Sequence, residues 1–335
     1  MKIMIKILIL LITLLMNVVV LDAEIVRRAA FDFGSGKIKV QIADVDTATD
    51  QIVHIIHNNA LTVKLGEDLA HHRGTNFSHE IIHEAIDVAR TLKHEAIEAG
   101  ATAFCGIATE AYRKASNSQD LIKLYEKELS IPVTIVSQEE EGKFGFYSLI
   151  EEKKLHPAQT VCWDIGGGSF QISYQDRNGQ LQVYKGPFGR STTKNAIIQH
   201  VKKLNPQSTY SPNPISWKDY ESALRYLKNA LPPVPEELKD KLKDPITEII
   251  GISAHPGQLR TLGIYYQEDV RKHIEEHLNK ADVQLVMDDP SYVVSDLILI
   301  EAIMQKLNIH DVTYIHTHSG SSSALLISKK FWAKP

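Results

Sequence analysis

The chain has 335 residues, 43% of them hydrophobic and 23% charged, and a formal net charge of −4. These proportions exclude a disordered polymer, and the length asks for two cores rather than one. The acidic balance excludes a bulk binder of nucleic acid duplex, so an anionic ligand must be held by local groups.

Residues 1–23 stand apart. Lys2 and Lys6 precede an apolar run from Ile7 to Leu21, and Asp22-Ala23 closes the stretch. A positive head, an apolar middle and a small final residue describe a signal peptide cut after Ala23. Leu21 is larger than a cleavage site prefers. The run is also a little short of the ~20 residues of a spanning helix. A cleaved signal and an uncleaved N-terminal anchor both stay open, with a buried core helix as a third reading. The first two predict an exported protein whose membrane contact is confined to this segment.

Beyond it, alternating apolar residues predict a hairpin over 29–42 and a third strand over 51–58, followed by a loose segment over 65–76. Ser78 caps a helix that runs to about Ala99 and stops at Gly100. A strand over 102–109, a loop and helix to Leu129, a strand over 131–136 and a helix opened by Ser137 complete an α/β domain over 24–155. The pattern restarts at Thr160. Strands are expected over 160–174, 180–185, 245–252 and 312–315, and helices over 191–204, 216–231, 296–307 and 321–331. A second domain over 156–335 thus repeats the first with insertions. Cys105 and Cys162 sit in apolar runs without a CxxC, which predicts buried free thiols.

The sharpest feature is Trp163-Asp164-Ile165-Gly166-Gly167-Gly168-Ser169. An apolar run drives into an aspartate, three glycines and a hydroxyl follow, and a second strand begins. Glycine lets bound groups approach the backbone, and successive N–H groups in such a turn form an anion-binding concavity. An ordinary glycine hairpin is the bland alternative. Ala30-Phe31-Asp32-Phe33-Gly34-Ser35-Gly36-Lys37 has the same grammar 132 positions earlier. A repeat at about one domain length predicts two Asp-tipped phosphate hairpins facing one cleft, with a divalent metal at Asp164 and Asp32.

Other constellations weigh less. His79-Glu80-Ile81-Ile82-His83 matches the HExxH string, but His79, His83, Asp87, Arg90 and His94 form a wholly polar helix stripe, so a solvated face is expected. Glu139, Glu140 and Glu141 open a helix whose dipole they complement, and that role alone accounts for them; one of the three can still point into the cleft as a base for water, and spacing does not choose which. Arg113 reads as a phosphate clamp or as an exposed helix arginine. Lys37, Lys143 and Arg190 are weaker candidates of the same kind, and His316 and His318 read as loop histidines.

Four blocks occur in order: Phe31-Asp32-Phe33-Gly34-Ser35, Thr109-x-x-x-Arg113-x-Ala115-x-Asn117, Ser137-x-x-Glu140-Glu141-Gly142-Lys143 and Asp164 to Ser169. Together they resemble the exopolyphosphatase / guanosine pentaphosphate phosphatase family in its short two-domain form. The resemblance implies two ribonuclease H-like domains of the actin, sugar kinase and heat-shock chaperone superfold, with the active site between them. It implies Mg²⁺ and hydrolysis of a terminal phosphoanhydride of polyphosphate or guanosine pentaphosphate. By match to the motifs, Glu141 is the general base, Arg113 holds substrate phosphate and Asp164 organises metal and water. Gly166, Gly167, Gly168 and Ser169 form the second phosphate loop, and Gly34 and Ser35 belong to the first.

The chain departs from the family pattern in three places. Gly36-Lys37 stands where the first loop has Asn-Ser, Phe170-Gln171 stands where the second is followed by Thr-Glu, and the later paired-glycine block reads Gly251 to Gly257. Gln171 cannot supply the charge of the glutamate, which keeps open an alternative: a non-catalytic polyphosphate- or nucleotide-binding protein that retains the cleft. An ATP-using kinase or chaperone fits less well, because the altered glycine block offers no clear adenosine site. Polyphosphate or a nucleoside polyphosphate is the expected partner, and a homodimer is compatible with the chain.

Overall fold

A computed structural model describes residues 24–72, 75–287, 289–317 and 320–332. The signal-or-anchor segment and His318 lie outside those residues.

The first sheet contains β1 (Ile25–Phe33), β2 (Lys37–Asp46), β3 (Gln51–Thr62), β4 (Ala103–Ala108) and β5 (Val133–Ile135), in the order β3-β2-β1-β4-β5. The first three strands are antiparallel and the last two join in parallel. The central strand β1 is buried on both faces from Arg28 to Phe33, whereas the edge strand β3 is largely exposed. Around this sheet lie α1 (Leu65–His71), α2 (His79–Glu98), α3 (Glu110–Lys114), α4 (Ser118–Leu129) and α5 (Gln138–Lys153).

The second sheet contains β6 (Thr160–Ile165), β7 (Phe170–Gln175), β8 (Leu181–Gly186), β9 (Glu248–Ser253), β10 (Ile264–Tyr266) and β11 (Asp311–Tyr314), in the order β10-β11-β9-β6-β7-β8. Without the added edge strand β10, both sheets run third-second-first-fourth-fifth. This is the ribonuclease H-like order that the family resemblance implies, and it occurs twice, as the duplicated hairpin predicts. The accompanying helices are α6 (Arg190–Ala196), α7 (Trp217–Ala230), α8 (Glu236–Lys243), α9 (Gly257–Arg260), α10 (Gln267–His277), α11 (Pro290–Leu307) and α12 (Ser322–Ile327). Apolar residues on every side of α11 bury nearly the whole helix, as an all-round apolar helix requires.

Two helices cross the sequence divide. Phe146 and Leu149 of α5 pack with Cys162, Ile250 and Ile252 of the second sheet. Leu325 and Leu326 of α12 pack with Ala30, Cys105 and Ile107 of the first. Cys105 and Cys162 are buried and unpaired.

The segment that reads as loose contains α1. Its turn is set by Leu65 and Leu69, buried one turn apart, and by Asp68, which accepts from Ser78 N at 2.9 Å. The helix expected over 191–204 is split: α6 passes into a π-helical turn over Ile197–Val201. Helices α8, α9 and α10 are also absent from the sequence reading. The HExxH stripe of α2 faces solvent, and its opposite face, with Ala85, Ala89 and Leu92, enters the core.

Candidate active site

Each Asp-tipped hairpin closes in the same way. Gly34 N donates to Lys37 O at 3.0 Å, and Gly166 N donates to Ser169 O at 2.9 Å. The register places Asp32 opposite Lys39 and Asp164 opposite Gln171. The loop carbonyls are engaged by neighbouring helices. Gly66 N donates to Ser35 O at 2.8 Å, Ser191 N to Gly167 O at 2.7 Å and Arg190 N to Gly166 O at 3.1 Å. The N–H groups of Gly167 and Gly168 meet no acceptor among the described residues. Unengaged N–H groups are what a turn needs in order to receive an anion.

Both loops line one cavity of about 960 Å³ between the sheets, together with Asp32, Glu141 and Asp164. The loops abut: a Cβ on Gly167 would come within 3.1 Å of the Ser35 Cβ. Lys37 and Arg190 also line the cavity, and His316 reaches its mouth from the loop after β11. Lys143 instead pairs with Glu139 on the surface, at 2.8 Å.

Glu141 is positioned by the first turn of α5. Ser137 Oγ accepts from Glu140 N at 3.1 Å, and Glu140 Oε2 accepts from Ser137 N at 3.0 Å. This reciprocal cap engages Glu140, while Glu139 pairs with Lys143, so Glu141 is the glutamate of the three that turns inward. Burial pushes its carboxyl up to about 7; Arg113 opposes the shift, and Asp164 and Asp32 add to it by repulsion. Burial also raises the Asp164 carboxyl, against the pull of Lys39 and a hydrogen bond with Ser253, with Asp32 adding repulsion.

Arg113 lies behind this carboxylate. It donates to Glu141 Oε2 at 2.8 Å and to Val136 O at 3.0 Å, and it is not among the residues lining the cavity. Its contacts are those of a group that orients Glu141.

Asp32 accepts from Ser321 N at 3.3 Å and lies 3.9 Å from Lys39 Nζ. The chain end thus closes over the first aspartate, and Gly320, at φ 57°, is needed there because a Cβ would crowd Lys39 and Asp32. Gln171 is buried beneath the second loop and donates to Ser169 Oγ at 3.1 Å.

Carboxylates lining one cavity are the donor type that a hard divalent cation takes. Asp32, Asp164 and Glu141 repel one another across one cavity. Mg²⁺ needs only one or two carboxylates, completing its shell with water and phosphate oxygens. Asp164 and Asp32, at the tips of the two hairpins, are the carboxylates that would be available to it.

The sequence reading missed Lys39, Glu110 and the cluster around Tyr292. Lys39 was visible in principle, as the register partner of Asp32. Glu110 is an unremarked position inside the Thr109–Asn117 block. On α11, Asp296 accepts from Arg190 Nε at 2.8 Å, and its carboxyl is pushed up to about 6 by burial, against Arg190. Arg190 and Lys194 both stack on the Tyr292 ring, at 4.5 and 4.3 Å, and the Tyr292 hydroxyl donates to Glu67 across the cavity. These groups lie far apart in the chain, so no local pattern joins them.

Residues 42–208 match the sequence model of the Ppx/GppA phosphatase family. Among solved structures, the Aquifex aeolicus member of the Ppx/GppA family is 17% identical, with 92% of this chain and 98% of that chain covered and a TM-score of 0.68. An exopolyphosphatase from Cytophaga hutchinsonii is 19% identical over 89% of this chain and 96% of that one, with a TM-score of 0.70. Likeness at this identity carries the fold, and the family match carries the assignment: over residues 42–208 the chain is a Ppx/GppA phosphatase, of a family of phosphoanhydride hydrolases.

Proposed function

We propose that the protein is an exported, Mg²⁺-dependent hydrolase that releases terminal phosphate from inorganic polyphosphate or from a nucleoside polyphosphate such as guanosine pentaphosphate. The observation that carries this reading is the meeting of two glycine loops with a buried, Arg113-oriented Glu141 in one cavity. The backbone N–H groups of the loops bind the terminal phosphate. Glu141, raised towards neutrality, accepts a proton from the water that attacks phosphorus. Arg113 holds the Glu141 carboxylate in line and supports its ionised form. When bound, Mg²⁺ neutralises charge on the phosphate oxygens. Lys39 balances the charge of Asp32 and Asp164. Export rests on residues 1–23; N-terminal sequencing of protein recovered outside the cytoplasm, reading a start near Glu24, tests it.

The decisive experiment is a phosphate-release assay over polyphosphates and nucleoside polyphosphates, with and without Mg²⁺. Glu141→Gln is expected to lower turnover at least 100-fold, of the order that general base catalysis supplies, while substrate binding persists. Full turnover by this variant sinks the reading. Binding without any turnover in the wild type instead favours the non-catalytic alternative, for which the uncharged Gln171 is the supporting residue.

A further inference from the structure

Glu110 is a buried carboxylate that the chemistry above does not use. It is the first residue of α3, directly after β4, and it lines the cavity at 7% exposure. Its Oε2 accepts from Ser35 Oγ at 2.9 Å, and its other oxygen pairs with Lys114. The carboxylate lies flat on Gly168, where any Cβ would overlap it. One negatively charged group therefore touches the first phosphate loop through Ser35 and the second through Gly168.

A hydroxyl has one proton to donate. Ser35 Oγ already accepts from Ala111 N at 3.1 Å, so its proton goes to Glu110. A phosphate oxygen bound to the first loop needs the same proton and carries the same sign of charge as the carboxylate. The two cannot share the seam without strong repulsion at such short range. Lys114, one turn along α3 and half-exposed, marks the direction in which the carboxylate can withdraw.

We propose that Glu110 is an internal competitor for the phosphate cradle: its carboxylate occupies the seam between the glycine loops until a substrate phosphate displaces it towards Lys114, and its return helps to expel the product phosphate. The proposal rests on reading the loops as a phosphate site. It makes Glu110 a determinant of affinity rather than a catalytic residue.

The test is calorimetric titration of the full chain with tripolyphosphate and, separately, with inorganic phosphate, comparing wild type, Glu110→Gln and Glu110→Ala. Both variants are first shown to melt as cooperatively as wild type. Both are expected to bind each anion about tenfold more tightly, the factor that corresponds to removing roughly 1.4 kcal/mol of repulsion, and product inhibition by phosphate is expected to deepen in parallel. Unchanged or weaker binding by both variants overturns the proposal while leaving the site reading intact. Loss of binding only when Mg²⁺ is present also overturns it, by making Glu110 a cation ligand. Absence of binding by all three proteins overturns the site reading, and the proposal with it.

Discussion

At the scale of single residues, burial decides the roles. Three consecutive glutamates carry the same chemistry on paper, yet the helix cap and Lys143 engage two of them at the surface, and only Glu141 is pressed into the cavity. The displacement of its carboxyl to about 7 has a consequence for stability. A carboxyl raised above its unfolded value of 4.5 contributes stability that is complete below 4.5 and is lost as pH rises through 7. In metal-free buffer, Glu141→Gln is therefore expected to match wild type at pH 4 and to exceed it at pH 8, by up to about 3 kcal/mol. Chemical denaturation at both pH values checks this. An equal offset at the two values would mean that Glu141 does not titrate in this window.

At the scale of elements, the site depends on how helices begin. The first turn of α5 carries Glu141, and Ser137 fastens it with a reciprocal cap that Lys330 extends by pairing with Glu140 at 2.8 Å. Ser137→Ala removes the side-chain half of the cap and is expected to cost about 1 kcal/mol. It should also lower kcat more than it raises KM, because Glu141 and not the glycine loops loses its anchorage. Thermal melting and steady-state kinetics read the two effects; a melting shift with unchanged kcat would confine the cap to a structural role. The capping box was legible in the sequence, since Ser-x-x-Glu is a local pattern. The π-helical turn after α6 was not, because apolar periodicity distinguishes poorly between a continuous helix and one with a single widened turn.

At the scale of the whole molecule, α1 of the first half clasps the second. Glu67 receives the Tyr292 hydroxyl, and the His71 ring lies 4.8 Å from that of Tyr210. Arg190 and Lys194 hold the Tyr292 ring from their own side of the cavity. Tyr292→Phe keeps the ring and deletes the bond across the cavity. It is expected to loosen the clasp by about 1.5–3 kcal/mol, the range for a hydrogen bond to a charged group, and to speed hydrogen exchange in residues 65–71. Exchange rates indistinguishable from wild type would show that the clasp does not hold the two halves together. The duplicated domain pattern, the two glycine turns, Asp164 and Asp32 were readable from the sequence, because each is written in a short run whose spacing dictates its local geometry, whereas Glu141 was singled out from its two neighbours only by the family resemblance. What only the tertiary structure decided is contact between distant runs. Arg113 turns to Glu141, Lys39 and the chain end close on Asp32, Glu110 lies across both loops, and Tyr292 reaches Glu67. Those pairings depend on the packing of one sheet against the other, and neither periodicity nor spacing along the chain encodes that distance.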